Sequence, residues 1–487
     1  MKLKKLLTNV NIAKAAADLD IEVHGVSFDT RSLRAGELFV AIRGHETDGH
    51  EYIASAVNSG AVCVICEKAP AAAIPYILVE DARKALALVS ANWFGEPAKK
   101  LKIIGVTGTN GKTTVTNLIK RVIEDCAGVK AGLIGTNAVM IGDEEIPAAH
   151  TTPESYTVHE LMAKMVKDGC KYVVMEVSSH ALYFDRVYGI EFDVGVYTNL
   201  SPDHLDLHGT MENYAQTKAK LFSISRQSAI NIDDEYAPVM LESASGSVLT
   251  YAVKDNTAEL MAKSVKLHAG KVDFCALTIG NLHRVELNIP GMFMVYNALA
   301  AIAAAALLGF DIESVAAVLQ TCRGVKGRAE IVPTDRDFTV LIDYAHTPDA
   351  LENIIATVRE FTQGRVITLF GCGGDRDNAK RPLMGEIAAK LSDFIVVTSD
   401  NPRTEEPGAI IEEIMVGVNN VKNARKKVIE NRRDAIHWAL QNAQPKDVLI
   451  LAGKGHETYQ QIGKEKIHFD EREVVAEFLE NTPREGK

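Results

Sequence analysis

No stretch of this 487-residue chain is apolar for long enough to cross a membrane. The longest such run, Ala298–Leu308, is alanine-rich and about half of the ~20 residues a span requires, so it reads as a buried helix. The chain also lacks a disulfide framework: its seven cysteines are odd in number and scattered without regular spacing, which fits a reducing compartment, the cytoplasm. Cys63 and Cys66 form a lone C-x-x-C inside the strand-like run Ala61–Cys66. An odd offset there turns the two side chains to opposite faces, so core cysteines are expected and not a metal or redox pair. Positive charge is in deficit, with 53 Lys and Arg against 64 Asp and Glu and a net charge of -11. That disfavours broad nucleic-acid binding and requires anionic ligands to meet local positive charge. The start, Met1–Leu7, is basic, but Asn9 and Asn11 interrupt it before a signal-peptide core can form, so neither export nor membrane insertion is expected.

What is present describes a soluble globular protein, with 47% hydrophobic and 24% charged residues. Single cores seldom grow past ~250–300 residues, so about three domains are expected. In the first, short apolar runs (Leu38–Ile42, Val62–Ile65, Tyr76–Val79) alternate with helical stretches until Gly95-Glu96-Pro97 breaks the pattern, giving a small α/β domain over 1–97. A central domain over 98–331 follows, through the strands Tyr172–Val177 and Phe192–Tyr197 to a long helix around Tyr296–Leu308. Strands separated by helices predict a mainly parallel sheet with crossover connections. The last domain, 332–487, is the most regular: Thr339–Ile342, Val366–Phe370, Phe394–Val397 and Val448–Leu451 each run into a polar or glycine-rich segment. That is a doubly wound α/β pattern, in which ligands bind beyond the carboxyl ends of the strands. The loaded segments Asp343–His346, Gly373–Arg376, Asp400–Arg403 and Gly453–Glu457 all fall there.

The strongest chemical signal is Ile103-Ile104-Gly105-Val106-Thr107-Gly108-Thr109-Asn110-Gly111-Lys112-Thr113-Thr114, ahead of the helical stretch Val115–Cys126. It is a nucleotide phosphate cradle. Gly108 and Gly111 let backbone N–H groups turn toward phosphate oxygens, Lys112 neutralises the terminal phosphates, and the Thr113 hydroxyl can complete a Mg²⁺ shell. The first glycine slot of the general P-loop pattern falls on Val106 instead. Downstream, Met175–His180 and Asp203-His204-Leu205-Asp206 each follow a strand and offer hard oxygens and imidazoles. Glu176 and His204 could join Thr113 around Mg²⁺, or could simply hydrogen-bond one another.

Thr107–Thr114, Met175–His180, Asp203–Asp206, Tyr214–Lys218, Asp343–His346 and Gly453–Glu457 occur in the order found in the Mur ligases, and the resemblance spans essentially the whole chain. It also accounts for the displaced first glycine. These are ATP-dependent amino-acid ligases of bacterial cell-wall precursor synthesis. The resemblance implies an α/β protein of three domains: an N-terminal one for a UDP sugar, a central P-loop ATPase, and a C-terminal Rossmann-like one for the amino acid. It implies that a carboxylate of UDP-N-acetylmuramoyl-L-alanyl-D-glutamate attacks the γ-phosphate of ATP, and that an amine then captures the acyl phosphate. A monomer is expected.

By motif, Glu176 and His204 resemble the Mg²⁺ ligands, and Lys218 resembles the lysine that family members carry as a carbamate (N6-carboxylysine); the alternative is a solvated helix-surface lysine. ATP is implied to meet Gly108, Thr109, Asn110, Gly111, Lys112, Thr113 and Thr114, with Asn297, Arg328, Asp343 and His346 on the adenine and ribose side. Asn297 has a rival role as a cap at the start of its helix. The sugar side is implied at Ser27, Thr30, Thr151, Thr152, Ser178 and Arg186. Asp400-Asn401-Pro402-Arg403 resembles the form of the motif that selects meso-2,6-diaminopimelate, whose second carboxylate can accept a fork from Arg403 and Arg376, with Gly453 and Glu457 taking the distal ammonium. Arg403 as a surface residue after a turn is the bland alternative. Lysine addition, a folylpolyglutamate-synthetase-like reaction and a non-catalytic nucleotide switch are the rival functions.

Overall fold

The computed structural model describes residues 1–44, 47–71, 73–148, 150–268, 270–322 and 324–482. The first sheet has five short strands in the order Ile12–Ala16, Tyr76–Val79, Cys63–Cys66, Glu37–Val40, Gly25–Ser27. All neighbours except the first pair run parallel. The helix Ala82–Trp93, capped by the Asp81 carboxylate on the Arg83 and Lys84 amides, covers one face, and Ile53–Asn58 covers the other. Cys63 packs with the first of these helices and Cys66 with the second, on opposite faces of their strand as the spacing requires.

Eleven strands form the central sheet. Its middle is parallel, with Ala131–Ile134, Tyr172–Glu176, Lys102–Thr107, Phe192–Tyr197, Ser225–Asn231 and Ser247–Ala252 side by side in that order. The carboxyl ends of Lys102–Thr107 and its two neighbours therefore open on one edge, where the phosphate loop, Glu176 and the Asp203–Asp206 segment emerge. Antiparallel hairpins extend both flanks, one through Ala138–Ile141 and Glu144–Pro147, the other from Leu260–Leu267 through Val272–Thr278 to Asn281–Leu287. The sequence pattern does not mark this second hairpin as strands. Its residues alternate between buried and exposed, and Gly280 (φ 83) makes the turn.

The helix Met292–Leu307 is apolar all round and is buried against the sheet and the helix Lys112–Ala127. It starts four residues before the expected Tyr296, because Gly291 (φ 108) makes the turn into it. Asn297 is thus well inside the helix and is not a cap.

Six strands make the last sheet, in the order Glu330–Val332, Thr339–Asp343, Val448–Ala452, Val366–Phe370, Phe394–Val397, Lys426–Val428, parallel except for the first pair. The division expected at 331/332 runs through Glu330–Val332. Helices cover both faces, Pro348–Phe361, Lys380–Leu391 and Pro407–Asn419 on one and Arg432–Asn442 and Glu471–Asn481 on the other. A small hairpin, Tyr459–Ile462 with Glu465–His468, lies beside the carboxyl edge, where Arg403 bridges to Ile462. The closing helix is tied inward by Arg432 and Glu471, both fully buried and 2.8 Å apart.

Candidate active site

The phosphate loop turns on two glycines. Gly108 (φ 152) passes so close to Thr198 that a Cβ would lie 1.9 Å from its hydroxyl, and Gly111 (φ 87) faces the Asn297 amide, 2.5 Å from where a Cβ would sit. Asn297 therefore faces the loop directly, despite its distance in sequence. Lys112 Nζ donates to the carbonyls of Gly108 (2.9 Å) and Thr109 (2.8 Å). Desolvation lowers the Lys112 pKa, opposed by Glu176 and Asp203 and aided by Arg328.

Lys218 comes from the helix Met211–Ser223, started by the Thr210 hydroxyl on the Asn213 amide. It is 1% exposed, which excludes the solvated-lysine alternative. Its Nζ donates to the same Gly108 carbonyl at 2.8 Å and lies 4.5 Å from the centre of the Tyr214 ring. Burial, and then the Lys112 charge, hold its pKa well below the ordinary lysine range.

Glu176, at the end of its strand, is fully buried. Its Oε2 accepts from the hydroxyls of Thr113 (3.1 Å) and Thr136 (3.0 Å), and its Oε1 accepts from the Thr136 amide (2.8 Å). Arg328 reaches the Thr113 hydroxyl from the other side at 3.3 Å. His204 (φ 53) pairs with Asp203 at 3.3 Å and stacks edge-on with His180, so the mutual bond between Glu176 and His204 weighed from the sequence does not form. Among the described residues no three His, Cys, Asp or Glu side chains form a ready metal group. Thr113 and Glu176 nevertheless supply adjacent hard oxygens at the helix start, which fits Mg²⁺.

A cavity of about 720 Å³ joins this edge to the C-terminal domain, lined by Lys112, Glu176, His204, Asn297, Arg328, Asp343 and His346 among others. Arg328 lies over the Tyr344 ring at 4.8 Å, and the Asp343 carboxylate accepts from the amides of Ala329 and Ala345. His346 Nδ1 is 2.8 Å from the Tyr344 carbonyl. Two residues that the sequence reading passed over join the domains here: Asp349 Oδ2 accepts from Asn110 Nδ2 (2.8 Å) and from the Ser201 hydroxyl (2.9 Å). Asp349 follows His346 at the start of the helix Pro348–Phe361, a position that could have flagged it.

On the sugar side, four expected residues cluster. Thr151 meets Thr136 hydroxyl to hydroxyl at 3.0 Å, Thr152 lies between the Glu176 carbonyl and Ser178, and Arg186 donates to the Thr152 carbonyl at 2.9 Å. Glu154 is gripped by Arg186 (3.0 Å) and by Arg83 of the first domain (2.9 Å). Ser27 ends the strand Gly25–Ser27 and Thr30 lies in the loop after it, on either side of Phe28, whose ring packs 6.1 Å from Tyr156 on the helix following Thr151–Pro153. Ser27 itself is engaged with the backbone of Asp29.

The third cluster lies on the carboxyl edge of the last sheet. Arg403 (φ 50) is half-buried, donating its amide to the Gln461 carbonyl and its Nη1 to the Gly374 carbonyl at 2.7 Å, so it is no free surface residue. Arg376 is exposed beside it. Pro402 packs its carbonyl near Gly374, and Gly453 (φ 110) leaves no room for a Cβ, which would sit 2.6 Å from Asp400 Oδ2. Asn401 Nδ2 donates to Glu457 Oε2 at 2.8 Å. Lys454, within the same motif but with no role implied by the resemblance, is fully buried among these side chains.

Known families match this chain domain by domain. A family model described as Mur ligase family, catalytic domain, matches residues 22–94; one for the Mur ligase middle domain matches 106–305; one for the Mur ligase glutamate ligase domain matches 327–455. The UDP-N-acetylmuramoyl-L-alanyl-D-glutamate–2,6-diaminopimelate ligase of Caldanaerobacter subterraneus subsp. tengcongensis is 50% identical over 482 residues, 98% of this chain and 99% of that one. Its counterpart numbered 1 in Clostridium acetobutylicum is 47% identical over 484 residues, again 98% and 99% of the two chains. A solved structure of a UDP-N-acetylmuramoyl-L-alanyl-D-glutamate–2,6-diaminopimelate ligase superposes with a TM-score of 0.73 at 32% identity, covering 99% of each chain. With all three domains matched in order along nearly its full length, the chain belongs to the Mur ligase family.

Proposed function

We propose that the chain joins meso-2,6-diaminopimelate to UDP-N-acetylmuramoyl-L-alanyl-D-glutamate at the expense of ATP, through an acyl phosphate, in cytoplasmic peptidoglycan precursor synthesis. The observation that carries this reading is one shared cavity in which Lys112 and Glu176 of the central domain face Asp343 and His346 of the C-terminal one. The names of the relatives support the substrates. The reading places the enzyme in the cytoplasm as a monomer; no helix among the described residues is long and apolar enough to cross a membrane.

In the first step the γ-carboxylate of the D-glutamyl residue attacks the γ-phosphate and ADP leaves. Two anions must meet, so Lys112 and the loop amides of Gly108–Thr114 hold and neutralise the phosphates while Asn297, Arg328, Asp343 and His346 hold the nucleoside end. Thr113 and Glu176, with His204 and a carbamylated Lys218, would hold Mg²⁺, which when bound offsets further phosphate charge. Carbamylation needs an unprotonated amine to add CO₂ and release a proton. The depressed pKa of buried Lys218 supports that chemistry. Ser27, Thr30, Thr151, Thr152, Ser178 and Arg186 orient the UDP sugar. In the second step the amine of diaminopimelate attacks the acyl carbon, forming the amide and expelling phosphate with loss of a proton.

Arg403 and Arg376, with Asp400, Asn401, Pro402, Gly453 and Glu457 around them, hold the distal head of the amino acid. Charge-assisted hydrogen bonds contribute ~1.5–3 kcal/mol each, so two or three give ~10³-fold preference over lysine, whose ammonium tip meets like charge. A coupled ADP-release assay with the muropeptide nucleotide tests this. Turnover with meso-diaminopimelate is expected to exceed that with L-lysine by that factor, and ¹⁸O in the D-glutamyl carboxylate should pass into phosphate. Preference for lysine would overturn the substrate assignment, and label-free phosphate the mechanism.

A further inference from the structure

Fully buried lysines are costly unless their protons are used, and Lys454 uses them in a particular way. Its Nζ donates to Asn401 Oδ1 at 3.1 Å and to Glu457 Oε2 at 3.0 Å, and it lies 4.0 Å from Asp400 Oδ1. Asn401 Oδ1 also accepts from the Gln461 amide at 2.9 Å. With both donors on that oxygen, the Asn401 amide has one orientation, and its Nδ2 points at Glu457 Oε2, 2.8 Å away. Glu457 Oε2 therefore takes two donors. Its Oε1 takes none among the described residues, and the side chain remains 13% exposed.

We infer that Lys454 is a positioning residue for the amino-acid substrate: by fixing Asn401 and occupying one oxygen of Glu457, it presents the other oxygen to the incoming ammonium. The inference rests on the proposed diaminopimelate reading. It adds that a fully buried residue, acting through Glu457, sets affinity for the amine. Without Lys454 the Asn401 oxygen keeps only the Gln461 N–H, Glu457 Oε2 keeps only the Asn401 amide, and the carboxylate can rotate, so the receiving oxygen is no longer held in one place.

The test is steady-state kinetics of the full chain with all three substrates varied in turn. Lys454→Met is expected to raise KM for meso-diaminopimelate at least about tenfold, with KM for ATP and for the muropeptide nucleotide within about twofold of wild type. Lys454→Arg keeps the charge and should recover part of the loss. The decisive comparison is the double variant Lys454→Met/Glu457→Gln, in which no unpaired charge is left buried. Because Lys454 acts through Glu457, its diaminopimelate KM should equal that of Glu457→Gln alone, and this arm stands even if Lys454→Met alone fails to fold. A further rise in the double variant, an equal rise in KM for ATP, or an unchanged diaminopimelate KM in folded Lys454→Met would overturn the inference. Wild type that ignores diaminopimelate would instead sink the functional reading on which it rests.

Discussion

Asp349→Ala should separate the phosphate loop from the C-terminal domain while leaving both folded. The carboxylate accepts one bond from Asn110, on the loop, and one from Ser201, on the strand-end segment beside it. Hydrogen bonds to a charged group contribute ~1.5–3 kcal/mol each. Asp349 borders an open cavity, so the lower figure applies, and the pair amounts to ~3 kcal/mol, about a 100-fold shift in the docked-to-undocked ratio. Loss of the favourable charge at the helix N-terminus adds ~0.3–1 kcal/mol of local destabilisation, too little to unfold the domain. The expected outcome is a larger radius of gyration by X-ray scattering, a fall in kcat/KM for ATP of up to about 100-fold, and a nearly unchanged melting temperature. Ser201→Ala removes one of the two bonds and should fall midway, near tenfold. If Asp349→Ala scatters like wild type and its kcat/KM for ATP stays within twofold, these bonds do not hold the domains together.

Lys218→Ala should lose activity by ~10² or more, and a short carboxylic acid added to the assay should restore part of it by supplying the missing anionic oxygens; full activity in the unsupplemented variant would exclude the carbamate. Gly108→Ala places a Cβ 1.9 Å from the Thr198 hydroxyl, which is itself held by the Asn110 carbonyl at 2.7 Å. The collision should weaken nucleotide binding at least about tenfold by calorimetry. Burial alone would raise the Asp447 carboxyl, but the Arg365 side chain and the Arg365 and Gln444 amides outweigh it and hold its pKa below the ordinary value. Its stabilisation is therefore complete above about pH 3.9 and is lost as pH falls through that value toward the native one. Urea melts should show Asp447→Asn destabilised at pH 7 and the gap to wild type narrowing toward pH 3; a constant gap would refute the ionic account.

The strands of the last sheet could be read from the sequence because buried parallel strands are continuous apolar runs: Val366–Phe370 and Phe394–Val397 match their expected limits. The hairpin from Leu260 to Leu287 could not, since Lys263, Lys266, Lys271, Asp273, Arg284 and Glu286 scattered along it resemble a polar surface segment until a partner strand is known. The apolar content of Met292–Leu307 announced a helix but not its start. Tyr296 carries the same signal as the residues before it, and only the Gly291 conformation sets the boundary. Within the site, the phosphate loop and the strand-end motifs were legible because their residues are adjacent in sequence. Asp349 meets Asn110 across 239 residues and Lys454 meets Asn401 across 53, and no local spacing encodes those two partners, although Glu457 lies only three residues from Lys454.

The dry pairing of Arg432 with Glu471 has a bearing on hybrid enzymes. Arg432 also approaches Asp400 at 3.9 Å, so the turn that begins the amino-acid cluster and the closing helix share one guanidinium. A chimaera that took Asp400–Arg403 from one relative and the tail from another, with a different side chain at 471, would leave the buried guanidinium with only the more distant Asp400 carboxylate, at a cost of up to ~3–5 kcal/mol. Recombination of specificities within this family should therefore treat those two segments, far apart along the chain, as a single cassette.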